Sequence, residues 1–453
     1  MAYRDLQSFL KHLEETGGEL IRITEELSPC LELTAVLKRI GGEDGPAVLF
    51  ERISGFKDFQ VAGNVLGTKK RLAMAMGVAE ADLEEEYLER RQRLLDPEQV
   101  KTGPVKEVIK KKDVDLTKDI PNVVHHAKDA GGYFSAGVLI TKDIETGVQS
   151  MGIHRLQIQG KDRLGVLLHS PPLSEYFAKA EAAGKPLDCA VACGVDPNIL
   201  SAAVAKGGMT TDKMALAGGL SAEPVKVVRG ETVDINVPAF AEVVVEGRLL
   251  PNVRVEEGPF GESTGYYLTY QSPVIEVTAI TRRKKAIFEI IEPWGMEGEV
   301  LGYLGYGSEM VRQLKELVPN MVAFHLIPHT CSSHAVASVN DRGRRDARRL
   351  LYLILTLFPG VKKATVVDTD VNIYDPYEVE WAVATRFQAD RDLIVLHDVP
   401  GLGIDPSSRK GRSSKIGMDA TIPGDEPEKF EKIWVNEESD KKAKEILGKY
   451  LRA

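Results

Sequence analysis

Residues 255–267 read VEEGPFGESTGYY, with Glu257 and Glu262 on either side of a Gly-Pro-Phe-Gly sequence. Pro259 has no amide proton and a fixed φ, and the glycines around it allow backbone conformations that other residues avoid. The stretch can be neither a helix interior nor an ordinary strand, so we predict a tight turn. Such a turn would bring two carboxylates to a common point, where repulsion between like charges raises one pKa and keeps an acid protonated near neutral pH. The alternative is a surface turn with two solvated glutamates.

This stretch lies in a segment, from about residue 121 to 300, that is rich in strand-forming residues. Short runs of Val, Ile and Tyr recur between Gly and Pro, such as AEVVVEGRL before the predicted turn and SPVIEVTAITRR after it. Their spacing predicts a β-barrel or sandwich. Two segments with helical patterns, SEYFAKAEAAG and NILSAAVAK, interrupt the strands, so we expect inserted helices.

The segments on either side alternate helix and strand patterns. A proline-containing connector at about 96–120 marks a first boundary, and from about residue 305 the alternation predicts an α/β domain with partly parallel strands. Asp375, Pro376 and Glu378 predict the N-cap, first position and capping box of a helix in that domain. The charged tail predicts an amphipathic helix that docks on a partner subunit. We therefore divide the chain at 1–105, 106–304 and 305–453.

The composition excludes several classes of protein. The chain has 453 residues, a formal net charge of -9 and 43% hydrophobic residues, which is typical of a globular protein and argues against a nucleic-acid partner. Its longest apolar run, LLYLILTLF, is too short for a membrane span of about 20 residues, and the N-terminus lacks the pattern of a secretory signal. We predict a cytoplasmic protein. Its four cysteines suggest no disulfide framework, and Cys189 and Cys193 are expected in the core.

Three motifs imitate binding sites. DTDVN at 368–372 resembles the start of a calcium loop, but Ile373 and Val379 replace the turn glycine and the last glutamate ligand, so we reject it. GYLGYG at 302–307 lacks the glycine spacing of a dinucleotide site, and we predict a plain turn. The histidines of HLIPHTCSSH match no zinc site, so we assign them to the structure or the substrate region.

Several segments read together carry a stronger signal than any one of them. In chain order they are QSMGIHRLQIQG, GVLLHSPP, DKMALAGGLSAEPVKVV, VPAFAEVVVEG, EEGPFGESTGYY and SSKIGMDAT. In that order and chemistry the chain resembles the UbiD family of decarboxylases, which use prenylated FMN. The resemblance implies an N-terminal α/β domain, a central split β-barrel that binds the flavin, and a C-terminal α/β domain for oligomerisation. It also implies a homodimer or higher homo-oligomer, and a flavin prenyltransferase that supplies the cofactor.

The resemblance implies a catalytic set of one arginine and two acids, here Arg155, Glu257 and Glu262. Loss of CO2 from an sp2 carbon leaves a carbanion that no side chain can stabilise, so the flavin is needed as an electron sink. Arg155 is expected to hold Glu257 ionised through a charge-assisted pair. Glu262 is expected to donate the proton that replaces CO2, with a pKa raised by apolar neighbours and by Glu257.

The resemblance also implies contacts to the cofactor. They come from one strand with Ile153, His154 and Arg155, from a neighbouring one with Gly165, Val166, Leu167, Leu168 and His169, and from Lys415.

A divalent cation (manganese), with a potassium ion, is implied at the flavin phosphate, with His169 as a ligand. The family's other two ligand positions are Ser150 and Lys213 in this chain, and neither is a good substitute. We hypothesise that the ammonium of Lys213 pairs with the phosphate directly, so that less metal or none is needed. Asp212 is the alternative ligand.

The function implied is reversible non-oxidative decarboxylation of an aromatic, heteroaromatic or α,β-unsaturated acid, with CO2 as the other product. The alternatives are a non-catalytic flavin-binding or assembly homologue, a decarboxylase of an aliphatic enoic acid, and a hydrolase that uses the carboxylate pair. We expect the segment from Glu292 to Gly302 to line the substrate pocket, with Trp294 and Met296 as apolar and Glu297 or Glu299 as polar contacts; Trp294 in the core is the alternative.

Overall fold

The computed structural model describes residues 3–42, 44–340, 345–424, 427–433 and 435–450. The N-terminal segment contains α1 (Leu6–Thr16), β1 (Leu20–Leu27), α2 (Glu32–Ile40), β2 (Ala47–Ile53), β3 (Phe59–Gly63), α3 (Lys69–Met76) and α4 (Leu83–Arg90). The central segment contains β4 (Glu98–Gln99), β5 (Val108–Lys110), α5 (Leu116–Asp119), β6 (Tyr133–Phe134), β7 (Val138–Lys142), β8 (Gln149–Ile153), β9 (Leu156–Ile158), β10 (Arg163–Val166), α6 (Leu173–Ala182), β11 (Leu187–Cys193), α7 (Pro197–Val204), α8 (Lys213–Ser221), β12 (Lys226–Arg229), β13 (Asn236–Pro238), β14 (Val243–Gly261), β15 (Tyr267–Arg282) and β16 (Ala286–Ile290). The C-terminal segment contains α9 (Met296–Gly302), α10 (Ser308–Leu317), β17 (Met321–Leu326), β18 (His334–Val339), α11 (Arg345–Leu357), β19 (Lys363–Asp368), α12 (Pro376–Arg386), α13 (Ala389–Asp392), β20 (Leu393–Pro400), β21 (Arg412–Asp419) and α14 (Glu437–Tyr450).

The N-terminal sheet has the strand order β1-β2-β3-β16. Its last strand comes from the end of the central segment and runs parallel to β3. Helix α1 begins at an Asp5 cap, whose carboxylate accepts the amide of Ser8, and buries Leu6, Phe9, Leu10 and Leu13. The sheet therefore ties the N-terminal segment to the strand that precedes the 291–306 segment.

The central sheet is a curled antiparallel half-barrel, which confirms the prediction of a barrel-like sheet with inserted helices. Its order is β6-β9-β10-β15-β14-β11-β7-β8, with β5 paired to the far end of β15. Helices α6 and α7 occupy the two predicted insert positions, and α8 is a further helix that the sequence patterns did not predict. Cys189 and Cys193 are fully buried on β11, as expected, and their thiols donate to the carbonyls of Gly247 and Glu289.

The tight turn predicted at Gly258–Gly261 is wrong, because β14 continues through it to Gly261. Glu257 pairs with Tyr270 and Phe260 with Leu268, so the Gly-Pro dipeptide forms a bulge in the ladder. Gly258 has φ +106, a left-handed conformation that the bulge needs and that glycine adopts at little cost. The Gly258–Pro259 peptide is cis. The chain reverses four residues later, where the amide of Gly265 donates to the carbonyl of Glu262 at 2.8 Å.

The C-terminal segment forms the predicted α/β domain, with strand order β17-β18-β19-β21-β20 and parallel pairing of β18, β19 and β21. Asp375 caps α12 as predicted, but Glu378 accepts the amide of Asn372 and so forms no capping box. Residues 303–307 form a π-helical turn between α9 and α10, so the plain turn predicted there is wrong. Within the described residues, no helix has the length and apolar character that a membrane crossing requires.

Candidate active site

A cavity of about 470 Å³ opens beside the inner face of the central sheet. Its wall combines the β8–β9 connection, the segment after β10, the ends of α7 and β14, the start of α8 and the segment from Ile291 to Tyr306. Ile404 from the C-terminal domain completes it. A volume of this order accommodates a cofactor with a small substrate. The central segment and the C-terminal segment therefore meet at this cavity.

Arg155 lies between the two glutamates of the 255–267 stretch. Its Nη2 donates to Glu257 Oε2 at 2.7 Å and its Nη1 donates to Glu262 Oε2 at 2.6 Å. The guanidinium carbon lies 4.8 Å from the ring centre of Phe260 and 5.3 Å from that of Tyr270. Because the aromatic faces and the two charge-assisted bonds act together, the guanidinium is fixed in the cavity wall.

The two carboxylates differ in environment. Glu257 is 0% exposed, and burial raises its pKa although Arg155 opposes this. The ion pair expected between Arg155 and Glu257 is therefore present, but burial outweighs it in setting the pKa of Glu257. Glu262 lines the cavity, and its Oε1 accepts the amide of Ser263 at 2.8 Å. One guanidinium therefore faces two carboxyl groups, of which Glu257 has the raised pKa.

Several residues that no sequence pattern singles out shape this group. The Asp129 carboxylate accepts the amides of Gly261, His125 and His126, which fixes the backbone just before Glu262. Tyr270 is the cross-strand partner of Glu257, and its hydroxyl donates to the Gly403 carbonyl at 3.4 Å. Asp129 carries no local signal of this role, whereas the position of Tyr270 follows once the β14–β15 register is known.

The same cavity wall also carries His154 and Lys213. His154 Nδ1 donates to the Leu167 carbonyl at 2.9 Å, because that oxygen can only accept. Burial lowers the pKa of His154 to about 4. Lys213 is 4% exposed and its Nζ donates to the Ala203 carbonyl at 2.9 Å. Burial, with a contribution from Arg91, lowers the pKa of Lys213 to about 8.

The residues expected to contact the cofactor fall into two groups. Those that line the cavity are Ile153, His154, Arg155, Leu167, His169 and Lys213. Ser150, Val166 and Leu168 are buried and do not line it. The Ser150 hydroxyl lies inside β8 without a hydrogen-bond partner.

Lys415 requires a correction. It is buried in β21 of the C-terminal domain, and its ammonium donates to the carbonyls of Leu355, Phe358 and Pro359 at 2.9, 3.1 and 3.0 Å. These carbonyls lie at and just beyond the end of α11, where a cation stabilises the helix terminus. The structure therefore does not bring Lys415 together with the cavity.

The expected pocket segment is also divided. Pro293, Gly298, Leu301 and Gly302 line the cavity. Trp294, Met296 and Glu297 face a neighbouring cavity of about 430 Å³, and the Glu299 carboxylate accepts the amides of His329 and Cys331. Trp294 is 42% exposed, so the alternative core position is wrong, and the residue does not line the cavity that holds Arg155.

The donor set does not fit the implied divalent cation. Among the described ranges of the chain, no group of three or more His, Cys, Asp or Glu residues is arranged to hold a metal ion. His169 lines the cavity, but it lies against the Tyr270 ring with ring centres 5.4 Å apart. The other two ligand positions are occupied by Ser150, which offers a buried hydroxyl, and by Lys213, which is itself a cation.

The flavin, in contrast, fits the cavity. The cavity has apolar walls from Met151, Leu173 and Ile291, and its wall also carries a buried ammonium. The half-barrel sheet has a cavity whose wall carries one arginine between two glutamates. This arrangement is typical of an enzyme that acts on carboxylic acids.

Comparisons with known proteins agree with this class. Family models match most of the chain: the N-terminal, Rift-related and C-terminal domains of 3-octaprenyl-4-hydroxybenzoate carboxy-lyase match residues 10–91, 98–295 and 299–420. The chain belongs to the UbiD family of carboxy-lyases.

Three relatives illustrate the range of the family. The UbiD-class enzyme HmfF from Pelotomaculum thermopropionicum, solved in complex with FMN, is 38% identical, with a TM-score of 0.90 over 96% of this chain and 98% of that one. Anhydromevalonate phosphate decarboxylase of Methanosarcina mazei is 33% identical over 97% of this chain and 100% of its own length. Phenolic acid decarboxylase of Bacillus subtilis is 31% identical over 93% of both chains.

Proposed function

We propose that this protein catalyses the reversible, non-oxidative decarboxylation of an aromatic, heteroaromatic or α,β-unsaturated carboxylic acid with prenylated FMN. The observation that carries the proposal is Arg155 held between Glu257 and Glu262 in the wall of a cavity of cofactor size. HmfF, which resembles this chain over nearly its full length, was solved with FMN.

Ile153, His154, Leu167 and Lys213 would hold the flavin. When bound, it supplies the electron sink for the pair left behind as CO2 departs from an sp2 carbon. Apolar side chains around Arg155 keep water from competing for that carbon.

Glu262 is the proton donor in this proposal. It lines the cavity, whereas Glu257 is enclosed, so only Glu262 can reach a substrate carbon directly. Its Oε–H bond breaks as a new C–H bond forms at the carbon that lost CO2, and solvent then restores the proton to Glu262. Arg155 and the Ser263 amide orient the acid for this transfer. In the reverse direction Glu262 takes the proton from the carbon before CO2 adds.

A small planar acid is the favoured substrate class. Phe260, Ile291, Pro293 and Ile404 give the cavity apolar surface near Arg155. Such walls suit an aromatic or heteroaromatic ring, and this supports a ring substrate over an aliphatic enoic acid.

The test is a pair of matched variants made in cells that also express a flavin prenyltransferase. Glu262→Gln keeps the shape of the side chain and removes its transferable proton, so CO2 release and hydrogen–deuterium exchange into the product should fall by about 10²–10⁴-fold while the flavin stays bound. Glu256→Gln, an exposed neighbour on the same strand, is the control and should retain wild-type rates. Unchanged turnover in Glu262→Gln contradicts the mechanism.

The same preparations separate the alternatives. Hydrolysis of esters or glycosides by cofactor-free protein would favour the hydrolase. Wild-type protein that binds prenylated FMN but releases no CO2 across a panel of aromatic and enoic acids would favour the non-catalytic homologue.

We also propose that two copies associate through the C-terminal domain. Helix α14 has no buried residues, yet it exposes Ile446 and Leu447. Tyr377 and Ile433 are 86% and 98% exposed on the same domain. Light scattering should give a multiple of the chain mass, and the double change Ile446→Glu, Leu447→Glu should reduce it to one chain. A monomeric wild type contradicts this proposal.

A further inference from the structure

The ammonium of Lys213 is buried at the cavity wall. Only 4% of the residue is exposed, and among the residues that the structure describes its Nζ has one hydrogen-bond partner, the neutral Ala203 carbonyl at 2.9 Å. Within the described parts of the chain, no carboxylate lies within 4.0 Å of it. A buried cation of this kind is costly unless an anion joins it.

The described groups around Lys213 leave its ammonium without a bound carboxylate. The charged neighbour that acts on it is Arg91, another cation. His154 is neutral, with Nδ1 bound to the Leu167 carbonyl. The adjacent Asp212 is turned toward its own helix, where it accepts the amides of Met214 and Ala215. The site is thus built for a ligand that carries negative charge.

The backbone places this ammonium between two helices. Lys213 is the first residue of α8, a helix of nine residues whose first amides are capped by Asp212. Its ammonium donates to the carbonyl of Ala203, near the end of α7. An anion in this part of the cavity would meet the full charge of the ammonium.

A divalent cation is disfavoured at the same position. The described residues offer no three-ligand set, and two like charges a few ångströms apart repel strongly in a buried site. A metal ion would have to displace the ammonium or sit beside it.

We propose that Lys213 binds the terminal phosphate of the flavin directly and takes the place of a divalent metal. This inference rests on the proposed function, since it assumes a flavin in the cavity, and it goes beyond it by assigning the phosphate site. The ligand class is a phosphate monoester on an apolar ring system.

The test compares FMN and riboflavin, which differ only in the phosphate, as ligands of the cofactor-free protein. Fluorescence quenching gives both dissociation constants, with EDTA and with added manganese. FMN should bind equally well in the two conditions, and elemental analysis should find far less than one manganese per chain.

Three variants isolate the charge. Lys213→Gln keeps a donor for the Ala203 carbonyl but removes the charge, so FMN should bind about 10- to 100-fold more weakly while riboflavin binding is unchanged. Lys213→Arg should stay within a few-fold of wild type for FMN. Lys206→Gln, an exposed lysine on the loop before α8, is the control and should change neither ligand.

Two results overturn the inference and leave the proposed function intact. One is stoichiometric manganese with FMN binding that EDTA abolishes. The other is an equal loss of FMN and riboflavin in Lys213→Gln, which would make Lys213 a structural cap of α7. Absence of any flavin binding by the wild type would instead refute the proposed function, and this inference with it.

Discussion

The substitution Glu297→Gln should remove a pH-dependent weakness beside the active site. Glu297 belongs to α9, which also contributes Gly298 and Leu301 to the cavity. It is 2% exposed; its Oε1 accepts the Leu66 amide at 2.7 Å, and its Oε2 is buried without a partner. Burial raises the pKa of Glu297 from 4.5 to about 7, although the Leu66 amide and Arg71 oppose the shift.

The sign of the effect follows from linkage. Between pH 4.5 and 7 the folded state holds a proton that the unfolded state has released, so the free energy of unfolding falls as pH rises and the penalty is complete above pH 7. At about 1.4 kcal/mol per pKa unit, the penalty is about 3 kcal/mol at pH 8 and about 1 kcal/mol at pH 5. The glutamine side chain of the variant would be neutral throughout and could still accept the Leu66 amide.

Urea unfolding of wild type and Glu297→Gln at pH 5, 6, 7 and 8 measures this difference. Any constant cost of burying the amide cancels between pH values, so the variant should gain about 2 kcal/mol on wild type from pH 5 to pH 8. Glu445→Gln on the exposed face of α14 is the control and should follow wild type. A wild type and a Glu297→Gln variant whose midpoints move in parallel from pH 5 to 8 would refute the reasoning.

Three more predictions concern residues that position the site or lie outside it. Lys415→Met removes three hydrogen bonds to carbonyls at the end of α11, so the thermal midpoint should fall while the FMN dissociation constant is unchanged; weaker FMN binding would restore Lys415 to the cofactor site. Asp129→Asn replaces the carboxylate that accepts the amides of Gly261 and His126, so kcat should fall by about tenfold or more with KM little changed. An equal change in kcat and KM would contradict a role for Asp129 in positioning Glu262. Gly152→Ala would place a Cβ 3.1 Å from His154 Nε2, so flavin titration should show weaker binding, and an unchanged affinity would show that His154 can shift freely.

Much of the architecture could be predicted because its signals are local. Alternation of Val, Ile and Tyr between turn residues depends on burial of one face of each strand, and β14 and β15 follow those runs closely. The cap at Asp375 likewise needs only its own helix. The segment from Gly258 to Gly261 misled the prediction because proline and glycine usually end strands, whereas here a bulge keeps both within the ladder.

The residues of the candidate site likewise differ in whether a local sequence signal could indicate them. The 255–267 stretch drew attention to the two glutamates, although through a turn that the structure lacks, and Arg155 entered only through resemblance to a family, since it lies 102 positions from Glu257. Lys415 and Trp294 were misplaced because their partners, the end of α11 and the His329 carbonyl, are set by how the domains pack. Long-range contacts of this kind leave no periodicity in a single sequence.

The position of Glu262 connects the fold to the chemistry. Glu257 lies in the protein interior on β14, and Glu262 lies at the cavity wall just beyond the last residue of β14, with the bulge at Gly258 and Pro259 between them. A regular strand alternates faces, so residues five apart would point to opposite sides of the sheet. With the bulge, one guanidinium reaches both acids at 2.6 and 2.7 Å. The irregular ladder is therefore what allows one arginine to bind an enclosed carboxylate and a cavity-lining one at the same time.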